Sequence, residues 1–417
     1  MELFFISKNV PLNMTIEGTT EGKINNYLFN LLAPSEDYLK SNSVPFKNIY
    51  LSNGMHTMIN KSLCDLGAPG LINMYTEQAK IAILSVSKVP GYIGNIVETG
   101  FEFIPLNQKL VQFENKENFK IAIFLSSALG DMLIAFKALK LFHNELSKYF
   151  NHIEIDLLLE DSLNYIQLIK QQDFIKNIIQ LPVTLDDFCK YDAYIDLDTI
   201  INDERCKNTW EQPLIDMYLE HLSLDKTTIS DSDKRNHVKI NPQVEKTLKP
   251  ILNNLKSNGK KLILFHTKSA LLRSIPLSQI PAILDILIQN SNYKIISLIK
   301  TDYQNDEFVD LSDFSKDFDH FAYIISQMDG IITVDTSVYH IADSFDVPVI
   351  VLFTSIKPDY RIKYYPFAEG ILLGGNDNKI LGKHLKCEQA DLDYAASLFK
   401  EADWNFILNK LNNLISG

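Results

Sequence analysis

The chain has 417 residues, 46% of them hydrophobic and 22% charged, with 16 Gly and 15 Pro. This is ordinary globular composition, enough for two to three domains, and it excludes a disordered, fibrous or low-complexity protein. The formal charge of −12, from 40 Lys+Arg against 52 Asp+Glu, argues against nucleic acid or an anionic membrane as the main partner, since both are captured by a net positive face.

In residues 1–115, short apolar runs such as 80–86 and 101–106 are broken by turn signals at Asn53-Gly54, Pro69-Gly70, Pro90-Gly91 and Thr99-Gly100. This predicts short strands and hairpins, with one helix around 23–32. The polar residues 114–118 read as a linker. Residues 120–126 are a continuous apolar run, as expected of a strand buried on both faces. Residues 131–146 follow with Leu133, Phe136, Leu139 and Phe142 in a stripe at helical spacing. Further strands are predicted at 153–159, 177–181 and 192–198, and helices at 162–171 and 211–222. A charged stretch without apolar period, 225–237, is a second linker. Beyond it, strands at 261–267, 293–299, 330–336 and 347–354 alternate with helices at 277–289, 319–328 and 338–345. Residues 391–415 read as one or two amphipathic helices. Strand–helix alternation implies parallel sheets. The expected division is therefore a β-rich domain over 1–115, a first doubly wound α/β half over 116–230 and a second over 231–417. Ligands on such sheets bind beyond the carboxyl ends of the strands, so the cleft between the halves is the expected site.

The four cysteines, Cys64, Cys189, Cys206 and Cys387, form no C-x-x-C pair. Neither a zinc ribbon nor a dithiol is signalled, and reduced thiols in a cytoplasm are expected. The first ten residues hold an apolar patch without a basic n-region or a small-residue cleavage site, and no run approaches the ~18 apolar residues of a membrane span. A cytoplasmic protein without an integral membrane segment is the expectation.

Two strand-to-helix junctions carry candidate chemistry. In Ser126-Ser127-Ala128-Leu129-Gly130-Asp131, Gly130 permits close backbone approach by a ligand, and free N–H groups at a helix start favour an anion. Asp131 is either a helix cap or a carboxylate aimed into the cleft as a general base. In Asp335-Thr336-Ser337-Val338-Tyr339-His340, the first three residues cap a helix or help hold a pyrophosphate, and His340 lies one turn on, within reach of the same face. After the 261–267 strand, Thr267, Lys268 and Arg273 offer a phosphate site, or else solvated loop charges. No G-x-G-x-x-G and no Walker lysine is present, so dinucleotide and P-loop readings fail. The D-x-D strings at Asp196/Asp198 and Asp391/Asp393 read as a strand end and a helix start, not metal sites. The string from Asp359 through Tyr360, Arg361, Tyr364 and Tyr365 reads as a surface loop with packed tyrosines, or as rings that stack on a base or shape an acceptor groove.

The stretch GIITVDTSVYHIADSFDVPVIVLFT, residues 330–354, resembles the nucleotide-sugar signature of the ADP-heptose glycosyltransferases, the family of lipopolysaccharide heptosyltransferases. Residues 127–139 are similar to that family's S-x-G-D segment, and Arg273-Ser274-Ile275-Pro276 stands where the family has K-x-W-P. The resemblance spans roughly 119–370. It implies a GT-B fold with two Rossmann-like halves and an inverting, metal-independent sugar transfer, with no cofactor beyond the nucleotide-sugar donor. Asp131 would be the base. Gly130, Thr267, Lys268, Arg273, Asp335, Thr336, Ser337 and His340 would bind the donor. The extra N-terminal region resembles in layout the bacterial autotransporter heptosyltransferases, which implies a serine or threonine hydroxyl of a polypeptide as acceptor and leaves a homo-oligomer open. Those proteins carry a cysteine-rich iron finger, whereas here only His384 and Cys387 stand in that region. Transfer to lipopolysaccharide core, and a catalytically silent binding module of the same fold, are the alternatives.

Overall fold

The computed structural model describes residues 90–95, 102–125, 128–159, 165–180, 183–188, 190–197, 200, 211–257, 259–383 and 387–416, together with the strands Phe4–Ile6, Leu28–Leu32 and Ile49–Met58. These three strands form one mixed sheet with Val183–Thr184. The sequence predicted a helix around 23–32, yet Leu28–Leu32 is a strand, antiparallel to Ile49–Met58. Its Leu-Phe-Asn-Leu-Leu run fits either state locally, and the neighbouring strand decides. The predicted strand at 80–86 and the cysteines at 64, 189 and 206 lie outside the described residues.

The first α/β lobe is a five-stranded parallel sheet. Its order is Gly91–Tyr92, Ala193–Asp196, Asn118–Phe124, His152–Leu159, Ile175–Gln180. The middle strand is apolar because helices cover both faces: Ile121, Ala122, Ile123 and Phe124 are wholly buried. Leu129–Leu146 is its principal helix, and Phe136, Leu139 and Phe142 face the core as the stripe predicted. Residues 101–106 were expected as a strand, but Leu106 opens a short helix, Leu106–Leu110, whose Leu106 and Leu110 enter this core. The lobe therefore recruits the strand Gly91–Tyr92 and the core residues Ile93, Leu106, Leu110 and Phe113 from the region first assigned to the N-terminal domain.

The second lobe is a six-stranded parallel sheet. Its order is Phe308–Asp310, Tyr293–Ser297, Lys261–His266, Gly330–Val334, Val349–Phe353, Ala368–Leu372. Numbered within the lobe this is 3-2-1-4-5-6, the doubly wound order whose switch point falls between Lys261–His266 and Gly330–Val334. The C-terminal helices Gln389–Glu401 and Trp404–Ser416 cover one face of this sheet with Phe399, Trp404, Ile407 and Leu411. Two parallel sheets wound by helices, set across a cleft, make this a GT-B fold.

The 225–237 stretch lies between the two sheets in the chain, and it is not a solvated tether. Lys234 and Asn236 are buried. Lys234 Nζ lies 2.8 Å from Asp216 on the Leu214–His221 helix and 4.4 Å over the Tyr364 ring, and Tyr364 Oη donates to Asp216 at 2.7 Å. Arg235 pairs with Asp343 at 2.9 Å. Charges without apolar period read as exposed in sequence; here each has a partner that makes burial tolerable. No helix among the described residues is long and apolar enough to cross a membrane.

Candidate active site

A cavity of about 440 Å³ opens between the lobes. That volume is within the range of small-molecule sites. From the first lobe it is lined by Gly130 and Asp131. From the second it is lined by Lys268, Arg273, Asp335, Thr336, Ser337 and His340. Eight of the nine residues singled out in the sequence thus converge. Thr267 does not: it is buried and lines a separate small pocket with Phe265 and Phe308. Thr267 directly follows the Lys261–His266 strand and continues its alternation, so it falls on the side of Phe265, away from the cleft.

Asp131 stands in the first turn of Leu129–Leu146, where Ala128 is the N-cap and no side chain caps the helix. It is therefore not the cap, and its carboxyl is free to line the cavity. Ser126 and Ser127 lie outside the described residues. Desolvation by the cleft walls raises the Asp131 carboxyl above the usual range; the charges of Arg361 and then Arg273 oppose this, and Asp335 adds to it. A carboxylate so placed is a stronger base than one in water.

Across the cleft, the 268–275 loop is braced at several points. Ser269 N–H and Oγ reach Ser274 Oγ and the Asp335 carbonyl, Ile275 N–H bonds the Thr267 carbonyl at 2.9 Å, and Thr354 Oγ1 donates to the Leu272 carbonyl at 2.8 Å. This holds Arg273 Nη1 at 2.9 Å from Asp335 Oδ2, while Tyr339 Oη donates to Asp335 Oδ1 at 2.7 Å. Burial works against the ionised Asp335, but Arg273 and Arg361 hold it below the ordinary carboxylate range. Arg273 is thus largely spent on Asp335. The Arg361 charge is not: it lines the cavity, its guanidinium has no carboxylate within ion-pair distance among the described residues, and its field acts on both Asp131 and Asp335. Sequence reading passed over Arg361 because it sits within the aromatic string. The signal was its place just after the Val349–Phe353 strand, beside the switch point.

Thr336 is the N-cap of Ser337–Asp343 without using its side chain to cap, so its hydroxyl and that of Ser337 are left to the cavity. His340 is buried, and burial drives its imidazole down to about 3, so the ring is neutral. The tyrosine string is not a surface loop: Tyr364 and Tyr365 are buried at the junction of the lobes, and only Arg361 of the string lines the cavity. Lys383 and Cys387 line it at the C-terminal side. Among the described residues no group of three His, Cys, Asp or Glu side chains could hold a metal ion. Asp196 is a buried strand end, and Asp391 completes a capping box with Glu388.

Residues 315–387, which include Asp335, His340 and Arg361, match the family model described as glycosyltransferase family 9 (heptosyltransferase). The match is to a segment of the second lobe and not to the whole chain. The matched segment supplies most of the second-lobe wall, and the resemblance read in residues 330–354 is to the same family. A search of curated proteins gives no match. Among solved structures, the chain is similar to a family 9 glycosyl transferase from Veillonella parvula, at 15% identity and TM-score 0.44, over 69% of this chain and 99% of that one. It is similar to E. coli ADP-heptose lipopolysaccharide heptosyltransferase II at 14% and 0.45, over 68% and 100%. It is also similar to the iron-containing dodecameric glycosyltransferase TibC from enterotoxigenic E. coli at 13% and 0.47, over 73% and 78%.

Proposed function

We propose that the chain is an inverting glycosyltransferase that moves heptose from ADP-heptose to serine or threonine hydroxyls of a polypeptide. The observation that carries this reading is the pairing across one cleft. A desolvated carboxylate, Asp131, comes from the first lobe, and an uncompensated cation, Arg361, stands with Lys268 and His340 on the second. In this reading Asp131 takes the proton of the acceptor hydroxyl. The hydroxyl oxygen attacks the anomeric carbon as the bond from that carbon to the diphosphate oxygen breaks, and ADP leaves with the electron pair. Attack opposite the leaving group inverts the anomeric centre. Arg361 and Lys268 face the growing negative charge, so the charge is met by side chains without a divalent ion.

The acceptor assignment is supported by charge and layout. The net charge of −12 disfavours an anionic lipid, and about ninety residues precede the first strand of the first lobe, enough to engage a polypeptide. The test is incubation of the full chain with ADP-heptose and an autotransporter passenger fragment, with mass spectrometry of its serines and threonines. A heptose increment that disappears in Asp131→Asn is expected. Transfer to lipopolysaccharide core, with none to the polypeptide, would reverse the acceptor. No ADP binding at all would leave the silent-module reading.

A further inference from the structure

His340 faces the cleft with one edge of its ring and the interlobe linker with the other. Nδ1 lies 2.7 Å from Tyr365 Oη, and that hydroxyl lies 2.6 Å from Asn236 Nδ2. The Asn236 side chain is oriented by Asp343: Asp343 Oδ2 accepts the Asn236 backbone N–H at 2.8 Å and lies 3.3 Å from Nδ2. A carboxylate only accepts, so Asn236 must turn its NH2 group, not its carbonyl, toward Asp343 and Tyr365. The Arg235 guanidinium on Asp343, at 2.9 Å, favours the ionised form that this orientation needs.

Tyr365 Oη therefore receives a hydrogen from Asn236. Its own O–H then has one acceptor among the described residues, His340 Nδ1. Tyr365 is 7% exposed, and a buried hydroxyl that donates to nothing is costly. Nδ1 is thus the nitrogen without a hydrogen, and the neutral ring must carry its proton on Nε2. That nitrogen is at the lobe junction, 3.4 Å from where a Cβ on Gly130 would stand. The neutrality of the ring follows from its burial.

We propose that Asp343, Asn236 and Tyr365 form a tautomer-setting relay that holds His340 as an Nε2–H donor toward the leaving diphosphate of a nucleotide sugar, an assignment of ligand that rests on the function proposed above. Tyr365 and Asn236 are positioning residues. In the other tautomer a lone pair on Nε2 would face the diphosphate oxygens, and a hydrogen bond would become a repulsion. The relay passes through Asn236 of the 225–237 stretch between the lobes, so the linker, and not the matched 315–387 segment alone, shapes the site.

The experiment is nitrogen NMR of the full chain with labelled histidine, the His340 signals being identified by their loss in His340→Asn, together with calorimetric titration of ADP. Wild type should show a pyridine-type Nδ1 and a protonated Nε2. Tyr365→Phe should populate both tautomers and weaken ADP binding about tenfold. A protonated Nδ1 in wild type overturns the relay, and so does a Tyr365→Phe spectrum identical to wild type. A changed tautomer with unchanged ADP affinity keeps the relay but overturns its ligand half, whereas no ADP binding in wild type would count against the function proposed above and not against the relay. If Tyr365→Phe does not fold, the wild-type spectrum alone decides the tautomer.

Discussion

Gly130 of the first lobe faces His340 and Ser337 of the second at close range, and replacing it tests the cleft directly. A Cβ at position 130 would stand 3.0 Å from His340 Cδ2 and 3.5 Å from the Ser337 Cα. Carbon atoms pack best at ~3.5–4.0 Å, so the histidine contact falls short by about 0.5–1 Å. His340 cannot swing away cheaply, because Nδ1 is tied to Tyr365 at 2.7 Å and the ring is buried. Gly130→Ala should therefore displace His340 or open the cleft by a few tenths of an ångström. The same substitution favours the Leu129–Leu146 helix, since alanine is better than glycine inside a helix by up to about 1 kcal/mol. The expected signature is a split. The unfolding midpoint stays level or rises, while kcat/KM falls at least about tenfold, or ~1.4 kcal/mol of barrier. Thermal unfolding and steady-state transfer, measured on one preparation, read both halves. Full activity in Gly130→Ala would show that the lobe approach at His340 plays no part in turnover, and the cleft argument would fail with it.

Asp131→Asn should lower kcat by about 10²–10⁴ and leave ADP affinity within twofold; a loss confined to ADP binding would make Asp131 a donor ligand and not a base. Because the raised carboxyl must be ionised to act, kcat/KM should fall as pH drops through its pKa. Arg361→Gln removes the largest charge holding that pKa down, so the acid limb should move to higher pH and ADP affinity should lose salt sensitivity. An unmoved limb would take Arg361 out of the site. Lys234→Met leaves the Asp216 carboxylate buried beside Tyr364 and should cost about 3–5 kcal/mol by denaturant unfolding; a loss under about 1 kcal/mol would mean that water reaches the pair. Burial lowers His340 to about 3 and His266 to about 4. The unfolded chain therefore binds more protons below pH ~6.5, and stability should fall as pH drops from there, by about 2 kcal/mol per ring at pH 5. Burial also raises Asp343 to about 6, which acts in the opposite sense and returns about 1 kcal/mol. A net decline of about 2–3 kcal/mol between pH 7 and pH 5 is expected, and a flat denaturation midpoint over that range would contradict it.

The alternation of buried apolar runs with helical stripes was enough to read two parallel α/β lobes, because a strand covered on both faces has few other compositions available. The junctions after residues 124 and 334 were legible for the same reason: a buried strand that ends in small and acidic residues before a helix marks a carboxyl end, where ligands bind. What local pattern does not carry is the direction in which a side chain just past a strand points, and so Thr267 was placed in the cleft although it lines a pocket with Phe265 instead. Nor does sequence show which charges meet. Arg273 stood out as a phosphate cation, yet folding pairs it with Asp335 and leaves Arg361, beyond the signature helix and the next strand, as the uncompensated charge. The linker was recognisable by its lack of period, but Lys234 and Asn236 are buried only because Asp216, Asp343, Tyr364 and Tyr365 arrive from distant segments. Sequence by itself determined the elements and the ends of the strands where chemistry is sited, since those follow from the burial each short segment requires. Tertiary structure decided the partner of each polar group, because a buried charge or hydroxyl is defined by what the fold brings to it from elsewhere in the chain.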